Sequence, residues 1–418
     1  MTGRHVCPSS GTPYLPICSV VDLNAVLARA VEHGASDIHL KVGQPPILRR
    51  DGELGVLPNH VPLGEADLEA ALAVVTDLAP AKLQAFHETG ELDIAYTSNE
   101  LPRFRVNGYR QRGSISFAFR VIPKNVPGFE ELRLPKGVAR LAEEHRGLVL
   151  CTGATGSGKT TTLAAVLDHI NRTRRLHIVT IEDPIEILHA DRGCIVNQRE
   201  VGLDTESFLS AIRRVLRQDP DVILIGELRD AETAETALKA AESGHLVFST
   251  MHTIDAAETI NRMVEFFPAE KQEQIRSILA GVLRGVISQR LLPRKELTGG
   301  RVAAVEIMVN NSRIAELIRD QKIEEIPDAI AEGEFFDMQT FSDALIELVL
   351  SDEIDREVAA NAATNRHDFL VALEQALKRR AAGIEHDRPL SEMAAQPKPE
   401  PEPEDDDQMP ELRIAGSQ

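Results

Sequence analysis

One segment of this chain has the residue types and the spacing of a phosphate-binding loop. Residues 153–160 have the sequence Gly-Ala-Thr-Gly-Ser-Gly-Lys-Thr, which fits the pattern G-x-x-x-x-G-K-[ST] at every fixed position. The glycines allow backbone N–H groups to close around phosphate oxygens, and the N-terminus of a following helix adds partial positive charge. The sequence therefore predicts a site for a nucleoside triphosphate.

The residues of this loop have distinct predicted roles. Lys159 can reach the β- and γ-phosphates, and the hydroxyl of Thr160 can ligate Mg²⁺. The other predicted nucleotide contacts are Gly153, Ala154, Thr155, Gly156, Ser157, Gly158 and Thr161. A chance glycine-rich turn is the alternative, but the loop lies between an apolar, strand-like run and a helical pattern. ATP and Mg²⁺ are therefore the predicted cofactors.

Two acidic segments follow apolar runs, at the carboxyl ends of predicted strands. Residues 181–186 have the sequence Ile-Glu-Asp-Pro-Ile-Glu, and a carboxylate placed there can orient and polarise the water that attacks a γ-phosphate. In the second segment, 219–230, Gly226 stands where an aspartate is usual, so Glu227 is the only acid at the tip of the strand. We predict that Glu227 belongs to the Mg²⁺ and water shell. An ordinary acidic turn is the alternative for the first segment.

Two histidines bracket a further predicted strand within residues 244–253. His252 follows this strand and lies close in sequence to Thr250 and Thr253, which favours a role in sensing the γ-phosphate. His245 precedes the strand, and a structural role is an equal alternative for it. No cysteine or acid completes a zinc ligand set at suitable spacing, so zinc binding is not predicted.

Arginines are the remaining candidates, because a guanidinium can stabilise the charge of a transferred phosphoryl group. Arg217 lies on a predicted amphipathic helix, 213–217, upstream of the Glu227 strand. The N-terminal third offers further arginines on adjacent predicted strands: Arg103, Arg105, Arg110, Arg112 and Arg120. Some of these, with Arg105, Arg110 and Arg120 as the candidates, are predicted to reach phosphates held by a neighbouring subunit. Solvent exposure or pairing with acids is the alternative for any one of them.

The elements around these motifs follow two patterns. In the phosphate-loop region, strands alternate with helices and are predicted at 148–152, 176–181, 221–225 and 246–250. This rhythm is typical of a mostly parallel sheet that is covered on both faces and gathers its ligands at the carboxyl ends of its strands. Upstream, alternating runs rich in β-branched and aromatic residues predict a small α+β unit on an antiparallel sheet.

Composition suggests a division of the chain and excludes some classes of protein. We expect a flexible extension at 1–19, a first domain at 20–122, a linker at 123–137, a nucleotide-binding domain at 138–380 and a disordered, acidic, proline-rich tail at 381–418. The net charge of −19 disfavours a nucleic-acid binder, although part of it lies in the tail. No apolar run approaches the roughly 20 residues of a membrane span, and no secretory signal is evident. Four scattered cysteines predict a reduced, cytosolic protein.

Taken together, these motifs resemble the type II/IV secretion ATPases, and among them the type IV pilus retraction ATPases. The segments that carry the resemblance are 36–39, 103–107, the phosphate loop, 181–186 as the family's Asp box, 219–230 as its Walker B segment, 244–253 as its His box, and the signatures 289–293, 304–308 and 338–341. They extend over the chain from about Val20 to about Arg380.

The resemblance implies a RecA-like P-loop domain joined to a smaller PAS-like N-terminal domain. It implies a homohexameric ring with ATP held between the two domains and near the next subunit. Such a ring is a cytoplasmic motor, peripheral at the inner face of the cytoplasmic membrane, that works with an inner-membrane platform protein to disassemble pilin. Glu186 corresponds to the water-activating acid, with Glu182 behind it. The family's remaining active-site positions fall on Glu227, His245, His252 and Arg217.

Other functions remain as alternatives. The extension and the tail lie outside the family core, and residues 312–319 keep only loosely the pattern of a motif implicated in retraction. A pilus or type II secretion assembly ATPase has the same fold, but usually carries a further N-terminal domain and a four-cysteine zinc motif. A nucleotide-dependent regulator is disfavoured by the paired acids, and a DNA translocase is disfavoured by the acidic balance.

Overall fold

The computed structural model describes residues 21–50, 52–98, 101–122, 126–295 and 300–381. The predicted extension at 1–19 and the acidic tail after residue 381 lie outside the described residues. Two β-sheets organise the described part of the chain, one of six strands and one of seven. None of the helices in these ranges is both long and apolar enough to span a membrane.

The first sheet is antiparallel, as the alternating pattern predicted. Its strands are β1 (Asp37–Lys41), β2 (Ile47–Arg50), β3 (Glu53–Val56), β4 (Glu91–Tyr96), β5 (Phe104–Gln111) and β6 (Ser114–Val121). Their spatial order is β3-β2-β1-β6-β5-β4. Three helices, α1 (Leu23–Glu32), α2 (Glu65–Val75) and α3 (Pro80–Thr89), share one apolar core with alternate strand residues such as Phe104, Val106 and Phe119. The other face of β5 and β6 carries polar side chains, because successive residues of a strand point to opposite faces.

The segment between the two sheets is partly helical. Within the predicted linker, α4 (Phe129–Leu132) forms one helical turn and α5 (Lys136–Ala142) begins. Val138 and Leu141 of α5 are fully buried in the core of the second sheet. This segment is therefore packed structure rather than an irregular connection.

The second sheet is parallel apart from one edge strand. Its strands are β7 (Gly147–Thr152), β8 (His177–Glu182), β9 (Ile195–Glu200), β10 (Val222–Ile225), β11 (Leu246–Met251), β12 (Leu283–Pro293) and β13 (Arg301–Val309). Their spatial order is β13-β12-β7-β11-β10-β8-β9, and only β12 and β13 pair antiparallel. The four strands predicted from apolar runs are confirmed. Two strands, β9 and β12, were not predicted.

Helices accompany the second sheet and follow it. The first group is α6 (Lys159–Thr173), α7 (Phe208–Val215), α8 (Ala231–Glu242), α9 (Ala256–Glu265) and α10 (Ala269–Val282). The second group is α11 (Ser312–Arg319), α12 (Ile326–Ala331), α13 (Phe341–Leu350), α14 (Arg356–Ala362) and α15 (Arg366–Ala381). The last three helices form a separate small core with the outer ends of β12 and β13, around Leu345 and Phe369.

Candidate active site

The phosphate loop connects β7 to α6, as its pattern predicted. Gly153, Gly156 and Gly158 have φ angles of +139°, +80° and +94°, which L side chains rarely adopt. A Cβ at Gly153 would also lie 2.4 Å from the carbonyl oxygen of Gln289 on β12. This backbone course therefore strongly favours glycine at these positions.

The polar groups of the loop fit a phosphate ligand. Lys159 is buried, and its Nζ donates to the carbonyl oxygens of Gly153 and Ala154 at 2.7 and 3.1 Å. Burial lowers the pKa of Lys159. The Oγ of Ser157 is buried with no hydrogen-bond partner among the described residues, whereas Thr160 is exposed in the first turn of α6. A bound phosphate would supply acceptors for these donors and for the N–H groups at the start of the helix.

Strand order brings the other predicted motifs to the same edge of the sheet. β11, β10 and β8 follow β7 in this spatial order, and all four strands are parallel. Their carboxyl ends carry His252, Glu227 and Glu182 respectively. Neighbouring strands lie about 4.8 Å apart, so these side chains are within about three strand spacings of the loop. A single chain therefore assembles the loop, a histidine and several acids along one edge.

Glu227 is paired within this edge. Its side chain is 15% exposed, forms an ion pair with Arg229 and lies 3.4 Å from Nε2 of His252. Its charge also acts on Lys159 in the loop. The predicted proximity of Glu227, His252 and the phosphate loop is thus present in the structure.

The absence of the usual aspartate at Gly226 has a steric reason. A Cβ at Gly226 would lie 3.3 Å from the carbonyl oxygen of Ile181 and 3.4 Å from the ring of Phe208. The N–H of Gly226 donates to that same carbonyl at 2.8 Å, so β10 is held close to β8 at this point. A side chain at position 226 would be crowded, and the acid at the strand tip is therefore Glu227.

The two acids of the Asp box have different surroundings. Glu182 accepts hydrogen bonds from Thr180 Oγ1 at 2.7 Å and from Gln198 Nε2 at 3.1 Å, and burial raises its pKa. Glu186 is partly exposed and forms an ion pair with Arg105 of the first sheet at 3.0 Å. Glu182 is therefore engaged within its own sheet, whereas Glu186 faces the N-terminal domain.

The three arginines predicted to contact nucleotide do not lie together. Arg105 and Arg120 are cross-strand partners in β5 and β6, and Arg120 pairs with Asp37 at 2.9 Å. Arg110 lies on the opposite face of β5, where its guanidinium stacks over Phe86 at 5.4 Å. Arg110 is therefore separated from the other two within one chain, because residues an odd number apart on a strand point to opposite faces. Contact of these arginines with a nucleotide stays a prediction.

Two further predicted residues lie at the opposite edge of the seven-stranded sheet. His245 precedes β11, and its Nδ1 is 3.0 Å from both the Ala240 carbonyl oxygen and the Ser243 hydroxyl. Arg217 is exposed between α7 and the amino end of β10. A strand of this length spans about 20 Å. Within one chain, His245 and Arg217 therefore lie away from the loop, and their assignment to the active site stays a prediction.

Comparison with known proteins agrees with this architecture. The family described as "Type II/IV secretion system protein" matches residues 127–334. The type IV pilus retraction ATPase PilT of Pseudomonas aeruginosa is 45% identical over 350 residues, which are 84% of this chain and 100% of that protein. The chain belongs to the type II/IV secretion ATPase family. A twitching motility protein of Neisseria gonorrhoeae is 42% identical to this secretion ATPase over 321 residues, 77% of the chain and 84% of that protein.

A solved relative confirms the fold of this secretion ATPase. The crystal structure of the pilus retraction motor PilT with bound ADP superposes with a TM-score of 0.77 at 43% identity, and covers 83% of this chain and 98% of that chain. The predicted fold class, a RecA-like P-loop ATPase domain with a smaller N-terminal domain, is confirmed.

Two residues beside the site of this secretion ATPase were not predicted to belong to it. Arg229 forms an ion pair with Glu227 and follows it by two positions. Its position as the next charged residue after Glu227 could have indicated this pairing from the sequence. Gln289 lies on β12 beneath the loop, where its Oε1 accepts a hydrogen bond from the Cys151 thiol at 3.3 Å. Gln289 begins the family signature 289–293, but its place under the loop was not predicted, because β12 was not predicted and becomes a neighbour of β7 only in the folded sheet.

A buried acid also lies near this edge. Glu306 on β13 accepts the backbone N–H of Ala256 at 2.9 Å, and burial raises its pKa to about 7. Ser288, the cross-strand partner of Glu306, accepts a hydrogen bond from Thr152 Oγ1 at 3.1 Å. A polar path therefore runs from the end of β7 to the start of α9, which follows the segment that carries His252.

Proposed function

We propose that this chain is the motor ATPase that drives type IV pilus retraction in twitching motility. The observation that carries the proposal is the similarity, over most of the chain, to relatives that are named for retraction and twitching. The phosphate loop, the acids on the neighbouring strands and the contact between Glu186 and the first domain support an ATPase whose hydrolysis is linked to domain position.

In the proposed mechanism, the loop binds the phosphates of ATP. Backbone N–H groups of Gly156 and Gly158 contact phosphate oxygens, and Lys159 exchanges the carbonyls of its own loop for the β- and γ-phosphates. Thr160 and Glu227 would hold Mg²⁺, the latter directly or through water. When bound, Mg²⁺ neutralises charge on the phosphates.

Glu186 is the proposed water-activating acid. It is partly exposed and is held by one exposed ion pair to Arg105, which can open towards a water molecule while the N-terminal domain stays docked. Glu182 stands behind it and orients the segment through its bonds to Thr180 and Gln198. His252 lies beside Glu227 and is the proposed sensor of the γ-phosphate.

The proposed assembly is a homohexameric ring that is peripheral at the inner face of the cytoplasmic membrane and acts on a platform protein of the pilus machine. Arg105 and Arg120 support it, because they share the polar face of the first sheet and Arg120 is 68% exposed. Arginines placed in this way can reach a nucleotide held by a neighbouring copy. A pilus assembly ATPase, with the same fold and the opposite direction of work, is the second candidate.

Deletion of the gene and a count of surface pili test the direction of work. Excess pili that do not retract are expected, and the wild-type gene should restore retraction. Lys159→Ala should accumulate as a folded protein and fail to restore it. Lys239→Ala, which removes an exposed lysine that pairs with Glu235 on α8, is the matched control and should restore it fully. A deletion strain without surface pili would overturn retraction in favour of assembly.

A further inference from the structure

The two domains meet at a buried ion pair beside the Asp box. Arg103, just before β5, donates from Nη2 to Oε2 of Glu200, the last residue of β9, at 2.5 Å. Their side chains are 14% and 3% exposed. This pair is much more buried than the neighbouring pair of Arg105 and Glu186, whose side chains are 43% and 32% exposed.

The same two side chains hold both backbone polar groups of Ile185. Nε of Arg103 donates to the Ile185 carbonyl oxygen at 2.9 Å, and the Ile185 N–H donates to Oε2 of Glu200 at 3.2 Å. Ile185 lies outside any helix or strand, so an arginine from one domain and a glutamate from the other replace the hydrogen bonds that a regular element would provide.

Each member of the pair is anchored in its own domain. Nη1 of Arg103 donates to Thr97 Oγ1 at 3.1 Å, and its carbonyl oxygen accepts the N–H of Ile122 at 2.8 Å. The N–H of Glu200 donates to Asp204 Oδ2 at 2.8 Å. A movement of the N-terminal domain therefore moves the guanidinium that holds Ile185, and separation leaves a buried carboxylate without its charge partner, which is unfavourable.

Ile185 is covalently joined to Glu186, and consecutive Cα atoms are about 3.8 Å apart. We propose that Arg103 and Glu200 are positioning residues for hydrolysis: they fix the backbone beside Glu186 and make the placement of its carboxylate depend on docking of the N-terminal domain. This inference rests on the proposed role of Glu186 as the water-activating acid. Arg103 and Arg105 are two positions apart and so lie on the same side of the chain. Arg103 binds the backbone of Ile185, and Arg105 binds the carboxylate of Glu186.

Arg103→Lys tests the proposal, since lysine keeps the charge but cannot bond to Ile185 and Glu200 with a planar fork. The full-length protein is assayed for kcat and KM with ATP, for ADP affinity by calorimetry and for thermal unfolding. We expect kcat to fall by about tenfold or more, with ADP affinity within about threefold, because displacement of a reacting group by 1 Å can cost that much. The matched control is Arg356→Lys, in an exposed pair with Glu374 at 3.0 Å, which should keep the wild-type kcat. A kcat for Arg103→Lys within twofold of wild type (about the scatter of such assays) would overturn the proposal.

A double variant separates positioning from a general structural role. If Arg103 acts through Glu186, Arg103→Lys should add almost nothing to the defect of Glu186→Gln, because both changes remove one function. Multiplicative defects would contradict the proposal. Thr97→Val, which removes a single hydrogen bond to Arg103, repeats the test with a milder change in case Arg103→Lys does not fold. Near-normal turnover of Glu186→Gln alone would show instead that the proposed role of Glu186 is wrong, and this inference would fall with it.

Discussion

The seven-stranded sheet has an amino edge and a carboxyl edge, formed by the two ends of its parallel strands. Both edges carry polar and charged side chains, but they differ in how many of these side chains already have hydrogen-bond partners. At the amino edge, the His177 N–H donates to Asp221 Oδ2 at 2.9 Å, and Nδ1 of the same histidine lies 3.0 Å from the Asp219 carbonyl oxygen. At the carboxyl edge, Ser157 Oγ has no partner among the described residues, and Lys159 bonds only to carbonyls of its own loop. The polar groups around His177 at the amino edge hold the fold together, whereas Ser157 and Lys159 at the carboxyl edge are available to a ligand.

This difference follows from the parallel arrangement of the strands. Each strand that is followed by a helix turns at its carboxyl end, so loops and helix N-termini gather at that edge. The chain returns to the amino edge from helix C-termini, where the turn at Asp219 is bonded to His177 of the neighbouring strand β8. The predictions below test whether function is confined to the carboxyl edge.

The largest expected effect comes from the acids of the carboxyl edge. Glu186→Gln should retain ATP binding and lower kcat by about 10²–10⁴-fold, the usual contribution of a general base. Glu182→Gln should have a much smaller effect, because its amide can still accept the hydrogen bond from Thr180. Steady-state hydrolysis and nucleotide titration of both variants decide between the two acids. A larger loss for Glu182→Gln would reverse their assignment.

The two histidines that flank β11 allow a direct comparison of the two edges, because one lies at each end of the same strand. His252→Ala should lower kcat by about tenfold or more with the melting temperature unchanged, because it removes a ring beside Glu227. His245→Ala should lower the melting temperature and leave kcat per folded molecule close to wild type, because its ring bonds locally to Ala240 and Ser243. Paired measurements of kcat and thermal unfolding check both statements. A selective loss of kcat in His245→Ala would show that the amino edge takes part, for instance through a neighbouring copy.

The smallest expected effect is on how the stability of the protein depends on pH, through the carboxyl group of Glu306. Burial raises the pKa of this carboxyl from 4.5 to about 7, so the folded state keeps a proton that the unfolded state has released. Its contribution to stability is therefore fully present below pH 4.5 and is lost as the pH rises through about 7.

Glutamine at position 306 stays neutral at every pH, so the free energy of unfolding of Glu306→Gln should fall less than that of the wild type as the pH rises. The two losses should differ by up to about 3 kcal/mol. Urea unfolding between pH 5 and 8 (roughly the span of the transition) measures it, with the exposed Glu143→Gln as the control. A difference between Glu306→Gln and wild type that does not change with pH would refute the expectation.

Local patterns were sufficient for much of this protein. The spacing within residues 153–160 predicted the loop and its strand–loop–helix setting, because glycine and lysine at these positions serve a local backbone conformation. Runs of apolar residues predicted β7, β8, β10 and β11, since strands buried on both faces are continuously apolar. Strands β9 and β12 escaped prediction. β9 is the outermost strand of the sheet and has only two apolar residues, both at its start. β12 follows α10 with no intervening turn, so no break in the sequence marks its beginning.

The sequence by itself determined that the chain binds phosphate and which acids and histidines are available to act on it. Only the tertiary structure decided which of these meet. Strand order placed Glu227 and His252 beside the loop and left His245 and Arg217 at the other edge, because a strand carries its two ends about 20 Å apart. The alternation of side chains separated Arg110 from Arg105, and the packing of the two domains joined Arg103 to Glu200 beside the Asp box. These contacts connect residues that are distant along the chain, so no local sequence pattern could predict them.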